Sequence, residues 1–334
     1  MKINHIFFLI SLLTALLVRP NSSAAVTAAK YAGEFLTTGV GARALGMGGS
    51  HVAAGTDVTA GYWNPAGLIG VRHPQFILMH SSRFSGIVKY DYGALAVPFG
   101  NRQSLGLSLI RLAVDDIPIT ALTDPDLPLS ETNRPYIEKL VNDAEYALYI
   151  SYAKVVAGKF SYGANIKMIQ KGVGDNSAWG LGFDFGILLN PFKRLLMGVN
   201  LQDATTTLIA WDTQRNELIT PTLKLGLAYP FQLSFLSSRI LPALDIDTRF
   251  ENRGTTSQAA AGPLSFDFHL GLEYTFLSAV ALRIGSDIGQ FTAGAGLRLP
   301  QLHLDYAFMS HDLGDTHRIS IKISIDKSKF RQPK

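Results

Sequence analysis

Residues 265–276 read SFDFHLGLEYTF. Phe266, Phe268, Leu270, Leu272, Tyr274 and Phe276 take every second position, and Ser265, Asp267, His269, Gly271, Glu273 and Thr275 take the others. Side chains of a strand point alternately to its two faces, so a period of two over this stretch gives one apolar and one polar face. The stretch is about twice an ordinary globular strand. It is also long enough to cross a bilayer at a tilt, for which about 9–11 residues suffice. An apolar face this bulky and aromatic suits lipid, and the other face suits a lumen.

The pattern repeats outward in both directions. Toward the C-terminus it recurs over 279–287, 290–299, 302–308 and 318–325, the last placing Ile319, Ile321, Ile323 and Ile325 opposite Arg318, Ser320, Lys322 and Ser324. Toward the N-terminus it recurs over 240–250, 222–229, 195–201, 179–189 and 159–168, and less regularly over 144–155, 103–112, 86–98 and 75–82. The expectation is an all-β, transmembrane antiparallel β-barrel of about fourteen strands, an even number as in bacterial outer-membrane barrels. Short turns near 100–103, 158, 190–193, 277–278 and 300 alternate with long connections at 114–143, 204–220 and 251–264. Such barrels have short periplasmic turns and longer outer loops. With both termini periplasmic, every long connection falls outside.

Composition agrees. The 334 residues are 47% apolar and 17% charged, with mean hydropathy +0.17, 31 glycines and no cysteine. Disorder is excluded by the apolar content, and disulfide or cysteine-ligated metal chemistry by the absent thiols. Lys2, the apolar run 6–18, then Ser22, Ser23, Ala24 and Ala25 form the pattern of a secretory leader over 1–24. Removing Lys2 and Arg19 from the 30 basic residues leaves 28 against 26 acidic. The nominal basicity therefore carries no nucleic-acid footprint.

Residues 33–70, GEFLTTGVGARALGMGGSHVAAGTDVTAGYWNPAGLIG, break the alternation. Gly39-Val40-Gly41-Ala42-Arg43-Ala44 fits a G-x-G-x-x-A pattern by spacing, but there is no βαβ rhythm around it, so a dinucleotide site is rejected. A compact small-residue segment ahead of the first strand is expected to be a plug folded into the lumen. The inward rows hold Gly106, Gly163, Gly182, Gly186, Gly198, Gly226, Gly271, Gly285, Gly294 and Gly296. Glycine inside a strand often marks close approach of another backbone, and relief of crowding in a curved sheet is the other reading. The expected organisation is leader 1–24, plug 25–73, barrel 74–325 and basic tail 326–334.

Within that segment, Gly41-Ala42-Arg43-Ala44, Met47-Gly48-Gly49, Ala53-Ala54, Asp57 and Trp63-Asn64-Pro65-Ala66-Gly67-Leu68 resemble the N-terminal signature of the PorV/PorQ family. That family sits within the FadL-like outer-membrane barrels. About 35 residues carry the likeness. It implies a fourteen-stranded barrel with an N-terminal hatch in the cell outer membrane, and one of two jobs. The first is a component of protein export, with secretion-machinery proteins and exported cargo as partners. The alternative is a channel for hydrophobic small molecules such as long-chain fatty acids. Unlike the family pattern, the last strand is followed by Lys327, Lys329, Arg331 and Lys334 rather than an aromatic end.

The chemistry-bearing residues are then few. Asp245, Asp247 and Arg249 are expected beside Asp267, His269 and Glu273, forming with Arg283 and Arg298 a mixed-charge lumenal lining. The two signs are interspersed, so mutual pairing that ties plug to wall is preferred over a single-sign conduction ring. No Gly-x-Ser-x-Gly elbow or His-Glu-x-x-His pattern exists, so no enzyme, cofactor or metal site is expected. His311, Asp312, Asp315 and His317 are read as a solvated turn. Loop 114–143 is expected to be a lid or partner surface.

Overall fold

A computed structural model describes residues 32–325, apart from 101, 158, 159, 193, 234–236, 252, 312 and 313. The expected leader and basic tail lie outside the described residues, as does Asp312. Among the described residues, fourteen strands close a ring. They are β1 (Gln75–Arg83), β2 (Val88–Phe99), β3 (Gln103–Leu122), β4 (Pro135–Ala157), β5 (Phe160–Val173), β6 (Asn176–Leu189) and β7 (Leu196–Gln202). There follow β8 (Thr222–Ala228), β9 (Ser238–Arg249), β10 (Leu264–Phe276), β11 (Val280–Asp287), β12 (Gln290–Arg298), β13 (Leu302–Met309) and β14 (Thr316–Ser324). Each pairs antiparallel with the next, and β14 closes on β1 with Phe76 opposite Ile323 and Leu78 opposite Ile321. A closed sheet leaves no unpaired edge, which is what permits strands to cross hydrocarbon.

The alternation explains the two faces. In β10 the burial pattern alternates along the strand, and Leu270 and Leu272 are exposed while Asp267 and Glu273 are buried. Likewise Leu105, Leu107 and Leu109 of β3 and Ile319, Ile321 and Ile323 of β14 face outward. The apolar belt ends at a polar ladder on the outer face. His80, Asp91, Arg111 and Tyr146 stand opposite one another across β1 to β4, with His80 Nδ1 2.6 Å and Arg111 Nη1 3.3 Å from the Asp91 carboxylate.

Two long connections depart from expectation. Segment 114–143 is not a loop: β3 continues to Leu122 and β4 begins at Pro135, leaving 123–134 as the tip. A register shift between Val114 and Ile117, with Asp116 at φ +59°, interrupts the alternation there. A bulge of this kind moves side chains to the other face and hides the period. The tip is tied by Asn133, whose amide donates to the carbonyls of Asp124 and Leu127 at 2.9 and 3.0 Å. Connection 204–220 carries its own hairpin, Thr207–Trp211 with Asn216–Ile219, which extends the sheet by pairing with β6. At the opposite end the turns are tight. Leu277 and Ser278 both have positive φ, and Ala279 N donates to Phe276 O at 3.0 Å within the three-residue connection 277–279.

The segment before β1 is built of short turns: 3₁₀ helices at Glu34–Thr38 and Pro65–Gly70, and single helical turns at Ala42–Leu45 and Ala60–Trp63. Nearly all of it is buried, including Val40, Ala42, Met47, Ala60, Ala66 and Leu68. It packs against the inward row of the wall. A side chain added at Gly106 would meet Leu68, at Gly163 and Gly186 Pro65, at Gly198 and Gly226 Val52, at Gly271 and Gly285 Met47, and at Gly294 Gly46. Close approach of the segment therefore accounts for these eight glycines, by its side chains at Gly106 and Gly186 and by its backbone at the other six. Gly182 and Gly296 instead clear space for Lys167 and Arg283, side chains of the wall itself.

Candidate functional site

The contacts between segment 33–70 and the wall begin with Asn64. Its side-chain oxygen accepts from Ala66 N at 3.1 Å and caps the Pro65–Gly70 turn, with Pro65 at the first position where its missing N–H costs nothing. Its amide donates to Val52 O and to Ile187 O of β6, both at 3.0 Å. Trp63 Nε1 donates to Val40 O at 3.0 Å. Carbonyls of the Ala60–Trp63 turn are met by wall amides: Asn165 Nδ2 reaches Gly61 O at 2.8 Å and Asn200 Nδ2 reaches Trp63 O at 2.9 Å. Gly67 is packed so tightly on Gly55 that no side chain fits there. The motif residues Trp63, Asn64, Pro65, Ala66 and Gly67 thus form one buried knot.

Gly41, Arg43, Met47 and Gly48 make a second contact region. Gly41 N donates to the Met79 sulfur at 3.1 Å. Gly48 has φ +64° and lies against the carbonyls of Leu270 and Ser286, so only glycine fits it on both counts. Arg43 reaches Glu273 with Nε at 2.9 Å and Nη2 at 3.0 Å, a bidentate pair. Glu273 is fully buried and is shared by three wall guanidinia besides: Arg239 at 3.0 Å, Arg283 at 2.8 Å and Arg298 at 2.9 Å. Arg283 also meets Asp305 at 2.7 Å. One carboxylate therefore joins the segment to β9, β10, β11 and β12 near the short-turn end.

The eight lining residues do not form one group. Glu273, Arg283 and Arg298 belong to the Arg43 cluster. Asp245, Asp247, Arg249, Asp267 and His269 lie further along β9 and β10, toward the long connections. There Asp245 accepts from Val52 N at 2.7 Å. His269 Nδ1 lies 2.8 Å from Asp287 and 3.1 Å from Gly48 O, and Asp247 pairs with Lys224 at 2.5 Å. Arg249 is 4.0 Å from Glu34, and Asp267 is 3.8 Å from Arg253. Ion pairs run through both groups, while Asp245 is held by a backbone N–H instead of a cation.

Sequence reasoning missed two ties. Asp57, which caps its own turn through Thr59 N at 3.0 Å, pairs with Lys322 of β14 at 2.5 Å. Lys167 of β5 is fully buried between Asp203 at 2.6 Å and Asp184 at 3.3 Å. The inward alternation of Asn165, Lys167 and Asp184 along β5 and β6 was the available signal.

Within the segment, electrostatics are unusual at His51. It is 1% exposed, lies edge-on to Trp63 at 6.0 Å between ring centres, and neither ring nitrogen has a partner among the described residues. Burial, with the Arg43 charge second, pushes its imidazole down to about 3, so it is neutral. Burial alone would raise the Asp57 carboxyl, but Lys322 and Arg43 outweigh it and hold it well below the usual carboxylate range.

Several clefts lie around this assembly, among them an apolar one of about 560 Å³ on the outer face of β14 and β1 to β3. On the outer face of β8 to β11 lies an apolar cleft of about 670 Å³, lined among others by Leu227, Tyr229, Leu244, Leu270, Leu272 and Phe291. Its floor is the backbone of Gly271 and Gly285, whose other side touches Met47 and Gly48. Toward the long connections lies a polar cavity of about 230 Å³ between Glu34, Tyr149, Lys167, Lys224 and Arg249. Among the described residues no group of three or more His, Cys, Asp or Glu is placed to hold a metal ion.

No protein-family model matches the sequence, and no curated protein matches it. Solved structures do resemble it. The toluene transporter TbuX of Ralstonia pickettii superposes with a TM-score of 0.58 at 13% identity, covering 86% of this chain and 99% of that one. The P. putida toluene transporter TodX gives 0.57 at 12% identity, with 86% and 99% covered. A Pseudomonas aeruginosa FadL homologue gives 0.51 at 12% identity, with 84% and 96% covered. At such identities the likeness is one of fold. Two of these three are toluene transporters and the third is a FadL homologue.

Proposed function

We propose that this chain is an outer-membrane passage for hydrophobic small molecules, with residues 33–70 as a plug that must shift to open it. The observation that carries the reading is the apolar cleft of about 670 Å³ backed by Gly271 and Gly285. At that place the wall between an apolar outer cleft and Met47–Gly48 is bare backbone. Lining of this kind, predominantly apolar and concave, is what a hydrophobic ligand needs. The transporters it resembles in fold add weight, since two of them are toluene transporters.

Of the two jobs implied by the sequence resemblance, this is the second. The structural neighbours favour it over protein export, and with it a hydrophobic ligand over secretion machinery and cargo as the partner. The plug in this reading is held by Arg43–Glu273, Asp57–Lys322 and Asn64–Ile187, and the charged lining residues act as its fastenings.

Uptake by whole cells tests the proposal. Cells producing the protein in their outer membrane take up labelled toluene or a labelled long-chain fatty acid several-fold faster than cells without it. Equal rates for both probes contradict it. Purification in a stable one-to-one complex with an exported protein favours the export role instead.

A further inference from the structure

Arg318 stands near the start of β14, on its inward face. Register places it opposite Ser81 of β1, which in turn is opposite Tyr90 of β2, and Ala307 of β13 flanks it on the other side. These four are 0–2% exposed. Opposed residues on one face of a sheet have their β-carbons only about 4.5–5.5 Å apart, so the row is contiguous.

The guanidinium is poorly satisfied. Nη1 donates to Thr38 O at 3.1 Å, while Nε and Nη2 have no partner among the described residues. The Tyr90 hydroxyl is equally buried and equally without a partner. Ser81 does not complete the set, because its hydroxyl already donates to His317 O at 3.2 Å. No carboxylate lies within ion-pair distance of Arg318 among the described residues. Asp287, the acid whose field reaches it, is engaged by His269 at 2.8 Å. Arg83, two residues along β1 on the same face, adds a second positive charge instead of compensating the first.

A buried charge needs a counter-charge or dense hydrogen bonding, and this one has neither. The nearby orphans are the Arg318 Nε–H and Nη2–H2 groups, which only donate, and the Tyr90 O–H, which can donate. Donors without acceptors, beside an uncompensated cation, define a place for an anion. One positive charge with so few unpartnered donors matches a small monovalent anion.

We propose that Arg318 and Tyr90 hold a monovalent anion, chloride under ordinary salt conditions, between the β14–β1–β2 wall and the turn at Thr38. The ion neutralises Arg318 and fastens segment 33–70 to the closing seam of the barrel. It is independent of any transported molecule.

Crystals of the full-length protein grown in bromide test the site directly. An anomalous peak beside Arg318 Nε and Nη2 and the Tyr90 hydroxyl is expected. A featureless map there, or a peak that persists without halide as ordered water, overturns the proposal. In detergent solution, chloride replaces gluconate at constant ionic strength and the unfolding temperature is followed. Wild type rises with chloride, and Arg318→Gln shows no chloride dependence. Tyr90→Phe, which keeps the cation, needs roughly tenfold more chloride for the same rise, as loss of one charge-assisted hydrogen bond implies. Equal chloride responses in wild type and both variants also overturn it, and should Arg318→Gln fail to fold, Tyr90→Phe and the bromide map decide.

Discussion

Single residues fasten the N-terminal segment, and their environments set what each substitution does. Glu273 neutralises parts of four guanidinia at 0% exposure. Glu273→Gln leaves Arg283 and Arg298 facing each other and Arg43 in a buried site, so a loss of about 3–5 kcal/mol is expected. Arg239 is about one-third exposed, and Arg239→Gln should cost at most about 1 kcal/mol. Urea titration of detergent-refolded protein separates the two, and equal costs would show that the shared carboxylate is not the fastening. His51 gives a pH effect of definite sign. Its pKa is about 3 in the folded protein against 6.5 unfolded, so between those values only the unfolded chain binds the proton. Its contribution is therefore intact above pH 6.5 and is lost as the pH falls toward 3. At pH 5 the loss amounts to about 2 kcal/mol. His51→Gln should lose correspondingly less stability than wild type between pH 7.5 and 5; an identical loss in both would refute a buried neutral imidazole. Neither residue's role was legible in the sequence: Glu273 was visible as inward-facing, but its sharing by Arg43 depends on where the segment folds, which no periodicity encodes.

Elements were legible where side-chain alternation was uninterrupted. Strands such as β10, β12 and β14 show a period of two because one face meets an apolar medium and the other does not, and all fourteen wall strands lie where alternation places them. The rule fails above the apolar belt. Past the His80–Asp91–Arg111 ladder both faces of β3 and β4 meet water, so nothing enforces alternation, and Asp115-Asp116 and Pro118 read as loop. The strands persist by backbone pairing, from Ile117 opposite Val141 to Leu122 opposite Pro135. Removing residues 117–141 and rejoining the ends with a two-residue turn should therefore leave the barrel folded. Unheated samples should keep the fast-migrating folded band, with the unfolding temperature lowered by less than about 5 °C. Loss of that band would mean that the extension nucleates or supports the wall. The glycine rows were equally legible as positions, while their cause became clear only with the segment in place: Gly285 is bare because its missing Cβ would sit 2.5 Å from Gly48 N.

At the scale of the molecule, an outer wall that reads as lipid-facing and an interior contact surface fastened by ion pairs suggest different lifetimes. The wall is held by a continuous ladder of backbone hydrogen bonds, whereas the segment is held by buried side-chain packing and by ties to the wall through Arg43, Asp57 and Asn64. The intermediate mean hydropathy of +0.17 follows from the same architecture, since apolar residues are spread one in two along many strands instead of gathering in a run. The chain contains no cysteine, so movement of the segment can be tested cleanly. Ala42 N donates to Ser320 Oγ on β14 at 3.3 Å, which makes these two positions the choice for a pair of cysteines whose bond formation is checked by mass. The decisive measurement is uptake of labelled toluene and of a labelled fatty acid by cells carrying Ala42→Cys with Ser320→Cys, oxidised and then reduced. Movement of the segment to open a hydrophobic passage predicts that uptake falls to background when the bond forms and returns on reduction. Uptake that is unchanged by oxidation, with the bond shown to be complete, would contradict it.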